Sequence, residues 1–301
     1  YKIPEGSRTA KGKAVVNLIQ LQPDEKIKAI IPTTDFDESK SLAFFTKNGI
    51  VKRTNLSEFK NIRSVGVRAI SLDENDELVT ALIAQTYDDM PVTDPENELS
   101  VETEVLEVEE LQNEIDEDSA NAEEDANSGD ETMLFVVTKK GMCLKFKISK
   151  VRQMGRTARG VTGIKFKEPG DEVVGAAVIE SNDQEILSIS QKGIGKRTTA
   201  DEYRLTNRGG KGVICMKLTS RTGDLVGVVM VDEEQDLMAL TSSGKMIRVD
   251  MQSIRKAGRN TSGVIVVNVD GDDVVSIARC PKADDGEDED EAPSEDMGLL
   301  E

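Results

Sequence analysis

The 301 residues carry 38 Lys and Arg against 57 Asp and Glu, with no histidine, for a net charge of −19. Lack of histidine removes the commonest metal ligand and most general-base schemes. Three cysteines without paired spacing, Cys143, Cys215 and Cys280, argue for a reduced cytoplasm over secretion, and neither a membrane-spanning apolar run nor a signal peptide is legible.

The acidic excess is unevenly spread. Residues 86–132 hold 19 acidic and no basic side chains, and residues 281–301 hold 10 acidic and one basic. Such segments cannot bury enough apolar surface to offset chain entropy, so both are expected to be disordered. The remainder has 28 acidic against 37 basic residues, a basic body with acidic appendages. A basic surface attracts polyanions, and the tail from Asp284 to Glu301 is expected to compete for it and so regulate binding.

In chain order, residues 1–31 read as the end of a first repeat, with Val15, Val16, Leu18 and Ile19 in one strand and Lys26 to Ile31 in the next. Leu42 to Phe45 and Ile50 to Thr54 form a hairpin across Lys47-Asn48-Gly49, followed by strands at Val67 to Leu72 and Leu78 to Ala84. In the acidic insertion Val101, Val105, Val108, Leu111 and Ile115 fall at helical spacing, so 100–116 reads as an acidic amphipathic helix or a solvated tether. Strands resume at Met133 to Val137 and Leu144 to Ile148, where alternation places Lys145 and Lys147 on one face and apolar residues on the other. A further repeat spans Ser190 to Val226, and the last runs from Leu237 to about Cys280. The domains are therefore 1–85, the insertion 86–132, 133–280, and the tail 281–301.

These segments repeat. Hairpin glycines fall at Gly49, Gly141, Gly193 and Gly244, each three residues after a Thr or Ser, and a second glycine follows 17 to 19 residues later at Gly66, Gly160, Gly212 and Gly263. Arg156, Arg208 and Arg259 stand four residues before that second glycine, Arg63 is offset by one, and Arg8 precedes Gly12 in the same way. An acidic turn recurs as Asp24-Glu25, Asp76-Glu77, Asp171-Glu172, Asp224 and Asp272-Asp273. Successive copies are 52 and 51 residues apart from Gly141 onward, whereas Gly49 to Gly141 is 92, which locates an insertion of about 40. A period near 50 with several short strands per unit predicts an all-β, propeller-like fold of four-stranded blades, four complete and one partial.

No catalytic constellation is present. Serines and cysteines lack an activating partner, and Gly193 to Thr198 resembles a phosphate-binding loop only until position 190, which is serine where glycine is required. Acidic residues at 114–118 lack the spacing of a dedicated cation loop, and no metal ligand set is assigned. What remains is recurrent basic residues. A single exposed lysine needs no ligand to explain it, but a radial array brings the same position to the same rim in every copy. Lys52, Arg53, Lys145, Lys147, Lys196, Arg197 and Arg248 are thus expected to form a discontinuous basic belt. Beside it should lie Arg8, Lys11, Arg63, Arg156, Arg159, Arg208, Lys211 and Arg259, with Gly209, Gly210 and Gly212 either bringing backbone amides to phosphate or simply making a turn. Point charges with few aromatics suit duplex backbone better than stacked single strands, with any preference arising from how readily the duplex bends.

Several stretches resemble the C-terminal domain of bacterial DNA gyrase A: YKIPEGSRTAKGKAVVNL at 1–18, NGIVKRTNLSEF at 48–59, GIGKRTTADEY at 193–203, RGGKGVI at 208–214 and GRNTSGVI at 258–265. The resemblance implies a six-bladed β-pinwheel that wraps double-stranded DNA around its rim with a positive crossing, for ATP-dependent negative supercoiling by the complete enzyme. It also implies gyrase B and a second gyrase A as partners. No cofactor is expected in this chain, and ATP and Mg²⁺ belong to the complete enzyme. The strand-breaking tyrosine of the family lies outside the stretches matched here, so Tyr1, Tyr87 and Tyr203 are not candidates, and Thr206 to Gly212 looks like a later echo of the family's signature heptapeptide. Alternatives are the equivalent domain of topoisomerase IV, a propeller whose basic rim binds an acidic protein segment, and an enzyme in its own right built on the acidic clusters.

Overall fold

Each hairpin is locked by side chains that recur with it. In the computed structural model, which describes residues 11, 13–14, 17, 19, 21, 25–33, 35–61, 66–86 and 132–282, the Thr46 hydroxyl accepts from Ile50 N at 3.2 Å and Thr138 does the same for Met142 N at 3.3 Å. The recurrent acidic turn closes the other side. Asp171 accepts from Lys140 N and Glu172 N, both at 2.9 Å, and from the Thr138 hydroxyl at 2.7 Å, while Asp76 accepts from Asn48 N and Glu77 N. The acid therefore satisfies backbone donors that a tight turn leaves open.

In chain order the strands are β1 (Lys40–Thr46), β2 (Ile50–Asn55), β3 (Leu78–Gln85), β4 (Met133–Thr138), β5 (Met142–Lys147), β6 (Val161–Thr162), β7 (Val173–Ile179) and β8 (Glu185–Ser190). They continue as β9 (Ile194–Thr199), β10 (Val213–Ile214), β11 (Leu225–Met230), β12 (Gln235–Thr241), β13 (Met246–Asp250), β14 (Val264–Ile265) and β15 (Val274–Pro281). Four antiparallel sheets result, ordered β3-β1-β2-β6, β10-β5-β4-β7, β11-β8-β9-β14 and β13-β12-β15. The hairpins agree with the sequence reading, as does the all-β, blade-like architecture.

The fourth strand differs from expectation. Each blade takes it from the following repeat: β6 pairs with β2, β10 with β5 and β14 with β9. Residues 67–72, read as a strand of their own blade, are irregular, and so is 26–31, which is largely exposed. β13 is an outer strand with alternating exposure and no fourth partner among the described residues.

The blades pack face against face, so strands are covered on both sides. One cluster includes Phe135, Ile179, Ile186, Tyr203 and Met216, and another Phe45, Leu134, Phe146 and Ile164. Buried free thiols Cys143 and Cys215 meet in the first of these clusters. At the first sheet, Phe44, Phe59, Ile30, Ile31, Ile70 and Leu78 line an apolar groove of about 1660 Å³. The possible helix at 100–116, the acidic cluster at 114–118 and all of the tail beyond Lys282 lie outside the described residues, and so do Arg8, Arg63, Val15, Val16 and Leu18. Among the described residues there is no α-helix, and no helix is long and apolar enough to cross a membrane.

Candidate nucleic-acid interface

After the second strand of each hairpin the chain makes one short 3₁₀ turn, at Leu56–Phe59, Ile148–Lys150, Ala200–Glu202 and Met251–Ser253. Buried Leu56 and Phe59, Ile148, Ala200 and Met251 pin these turns to the core, and the Asn55 and Asp250 side chains cap two of them. Just beyond the turns Lys60, Arg152, Arg204 and Arg255 project into solvent, each eleven residues after its hairpin glycine. None of these four is ion-paired among the described residues. The sequence reading missed them, although their constant distance from the glycine was a signal of the same kind as the one it used.

The chain then runs back over the preceding blade. Single parallel bridges join Arg53 to Gln153, Lys145 to Leu205 and Arg197 to Lys256. Consecutive loops are bonded to one another. Ser71 donates to the carbonyls of Ala158 and Thr157, Gly209 N to Gly163 O at 2.6 Å, and Lys165 N to Gly210 O at 2.9 Å. One repeat further on, Lys217 N donates to Thr261 O at 3.1 Å and Ser262 to Lys217 O at 2.7 Å. The arginines act as staples in the same ladder: Arg208 donates to Lys150 O and Thr162 O, and Arg259 to Ile214 O at 2.7 Å. A guanidinium has five donors, so each keeps several for a further acceptor.

The loops are thus bonded one to the next into a ridge, and Arg156, Arg159, Arg208, Lys211 and Arg259 lie on them. Arg159, Arg208 and Lys211 are exposed, while Arg156 and Arg259 are half-buried. Arg159 is held by Asp73, with Nε at 2.7 Å. Lys165 and Lys217, each five residues after the second glycine, add exposed cations that the sequence reading did not name. Lys11 is exposed.

The expected belt on the strands is corrected. Lys52 and Lys196 are 0% exposed, Lys145 4%, Arg53 5% and Arg197 7%. Alternation gives a solvent face only where one side of a sheet is open, and here neighbouring blades and the loops of the next repeat cover both. These side chains bond within the protein. Lys145 donates to Ala200 O at 2.7 Å and to Asn182, and Arg197 donates to Ile254 O and Gln252 while pairing with Glu185 at 3.4 Å. Burial holds the ammonium of Lys52 down at about 8 and also lowers those of Lys145 and Lys196. Lys147 is half-buried, and Arg248 is paired with Asp236 at 2.7 Å and bonded to Pro281 O. Gly212, at φ +75, would place a Cβ 2.2 Å from Cys143 O, so its close approach is to the protein's own backbone. The Gly209 amide is likewise engaged by Gly163, and Gly210 packs beside Leu144.

Comparison with known proteins bears on the family and the fold. The chain is 72% identical to the DNA gyrase A protein of Campylobacter fetus over 99% of its length, and 48% identical to that of Helicobacter pylori over 95%. It spans about a third of these relatives, 34% and 29% of their lengths. A solved DNA gyrase A C-terminal domain superposes with a TM-score of 0.67 at 22% identity, covering 90% of this chain and 75% of that one. The C-terminal domain of DNA topoisomerase IV does so with 0.68 at 23%, covering 90% and 71%. Both show the same fold. The family model described as DNA gyrase C-terminal domain, beta-propeller, matches residues 1–34, 40–85, 132–180, 184–232 and 235–281, the five copies of the repeat, and the chain belongs to that family.

Proposed function

We propose that this chain is a DNA-wrapping module, which bends a duplex along the loop ridge for supercoiling by a complete gyrase. The supporting observation is the repeated exposure of Lys60, Arg152, Arg204 and Arg255, without an ion pair among the described residues and in register with loops that are bonded into one edge. Lys165, Lys211, Arg208 and Lys217 lie on those loops and supply further phosphate contacts. A cation at a fixed place in each blade offers the duplex a contact at regular intervals, which favours bending along the rim over reading of base edges.

In the complete enzyme this module would act beside gyrase B and a second gyrase A, where ATP and Mg²⁺ are used. Sequence relatives at 72% and 70% identity are gyrase proteins, so the topoisomerase IV alternative is not favoured. Charge reversal tests the reading. Arg152→Glu, Arg204→Glu and Arg255→Glu are each expected to weaken duplex binding and to lower the salt slope by about one per lost phosphate contact. Unchanged affinity in the triple variant would remove this row from the DNA path.

A further inference from the structure

Lys52 and Lys196 are buried ammonium groups that each donate to the carbonyl of a loop arginine in the next repeat. Lys52 Nζ donates to Ala69 O and Arg156 O, both at 2.6 Å, and Lys196 Nζ donates to Gly258 O at 2.7 Å and to Arg259 O. Each lysine stands three residues after its hairpin glycine, where the other two copies have Leu144 and Ile247. The fold thus accepts an apolar residue at this position. Neither lysine is ion-paired among the described residues, and burying an ammonium is costly. Its effect must be sought in what it holds, which is the carbonyl of a loop arginine in both cases.

We propose that Lys52 and Lys196 are positioning residues for DNA binding: each ammonium fixes the backbone of Arg156 or Arg259, and so sets how that loop meets the phosphate backbone. The proposal rests on the wrapping function above. Where Leu144 replaces the lysine, the facing loop is glycine-rich and Arg208 is exposed; its guanidinium bonds to Lys150 and Thr162 and the Gly209 amide to Gly163, with no buried ammonium from that position. Clamped and unclamped loops therefore alternate along the ridge. The clamped loops present their arginines in one fixed orientation, and the loop at Asn207 to Lys211 adapts to the path that they impose.

The test uses the 301-residue chain with Lys196→Met, Arg259→Ala and the double variant, a duplex of about 40 base pairs, and amide hydrogen exchange without DNA. Methionine resembles the leucine that the third copy carries, so the blade is expected to fold. In Lys196→Met the amides of residues 257–261 should exchange about tenfold faster while β8 and β12 keep their protection. Lys196→Gln, which keeps a donor, should fall between parent and Met. DNA affinity should drop several-fold in either single variant, and the double should lose no more than the weaker single. Unchanged exchange, or losses that add in the double variant, overturns the proposal. If Arg259→Ala and the Arg204→Glu and Arg255→Glu variants all bind DNA like the parent, the wrapping function fails instead, and the exchange data still decide whether Lys196 orders the loop.

Discussion

At the scale of single residues, burial turns a lysine from a DNA contact into part of the scaffold. Lys52 sits 5.6 Å from the centre of the Phe44 ring and donates to two carbonyls, yet desolvation still lowers its pKa to about 8 from 10.5. Between those values the unfolded chain binds a proton that the folded chain does not, so stability contributed by this site rises with pH across that window. Below pH 8 both states are charged, and the burial cost is fully present. Urea unfolding of the parent should show a contribution to stability that increases from about pH 8 to 10.5, and in Lys52→Met that increase should be smaller. Equal slopes in the two proteins would mean that Lys52 keeps an ordinary pKa. Glu172 shows the partly exposed counterpart: it pairs with Lys47 at 3.0 Å and Lys139 at 3.2 Å, lysines of two successive repeats. Burial of Glu172 raises its pKa, but the bonds from these two lysines outweigh that and hold the carboxyl below its usual range. Because the groups are partly exposed, Glu172→Gln should cost only about 0.2–1 kcal/mol per pair in thermal or chemical unfolding, with the loss shrinking in high salt.

At the scale of the element, the two-residue exchanged strands are what join one blade to the next. β10 can reach β5 only because Gly212 has no Cβ, which would sit 2.2 Å from Cys143 O at a φ of +75. Gly212→Ala should therefore destabilise by at least about 2 kcal/mol, combining backbone strain with the clash. Gly244→Ala makes the comparison: φ is +84 but nothing lies within 4 Å of the added carbon, so about 1 kcal/mol is expected. Similar losses in the two, measured by unfolding midpoint, would mean that the exchanged strand contributes little. The hairpins were legible because their signals are local: a glycine at positive φ, a Thr or Ser three residues earlier, and an acid that closes the turn. The exchanged strand was not, since Val161–Thr162 is too short for periodicity to register and its partner belongs to another repeat. For the same reason the lysines were misplaced. One acceptor of Lys52 is 104 residues away in Arg156, and alternation along β2 gives no sign of it. The loop arginines could be read because their spacing from the second glycine is constant, and the same test would have found Arg152, Arg204 and Arg255.

At the scale of the whole molecule, charge is divided between a basic ridge and acidic segments, and the overall charge of −19 conceals the ridge. The apolar groove at the first sheet belongs to the same level. Its walls are the face of β1 and β3, with residues 25–33 and 69–72 opposite, and Ile27, Ile30 and Leu72 remain exposed. A chain extended at its N-terminus by one further copy of the repeat should cover this face, raise the unfolding midpoint and bind less of a hydrophobic dye. No change in either would mean that the groove accepts something other than a blade. The central claim, that linked loops carrying one cation set per blade bend a duplex, is most directly tested by the affinity of the 301-residue chain for duplexes of increasing length across a salt series. Engagement of about 6–10 phosphates predicts that affinity rises with duplex length and falls by roughly 10³ to 10⁵ between about 50 and 200 mM salt. Affinity that is flat in both length and salt would contradict the account, because the ridge would then not be a DNA surface.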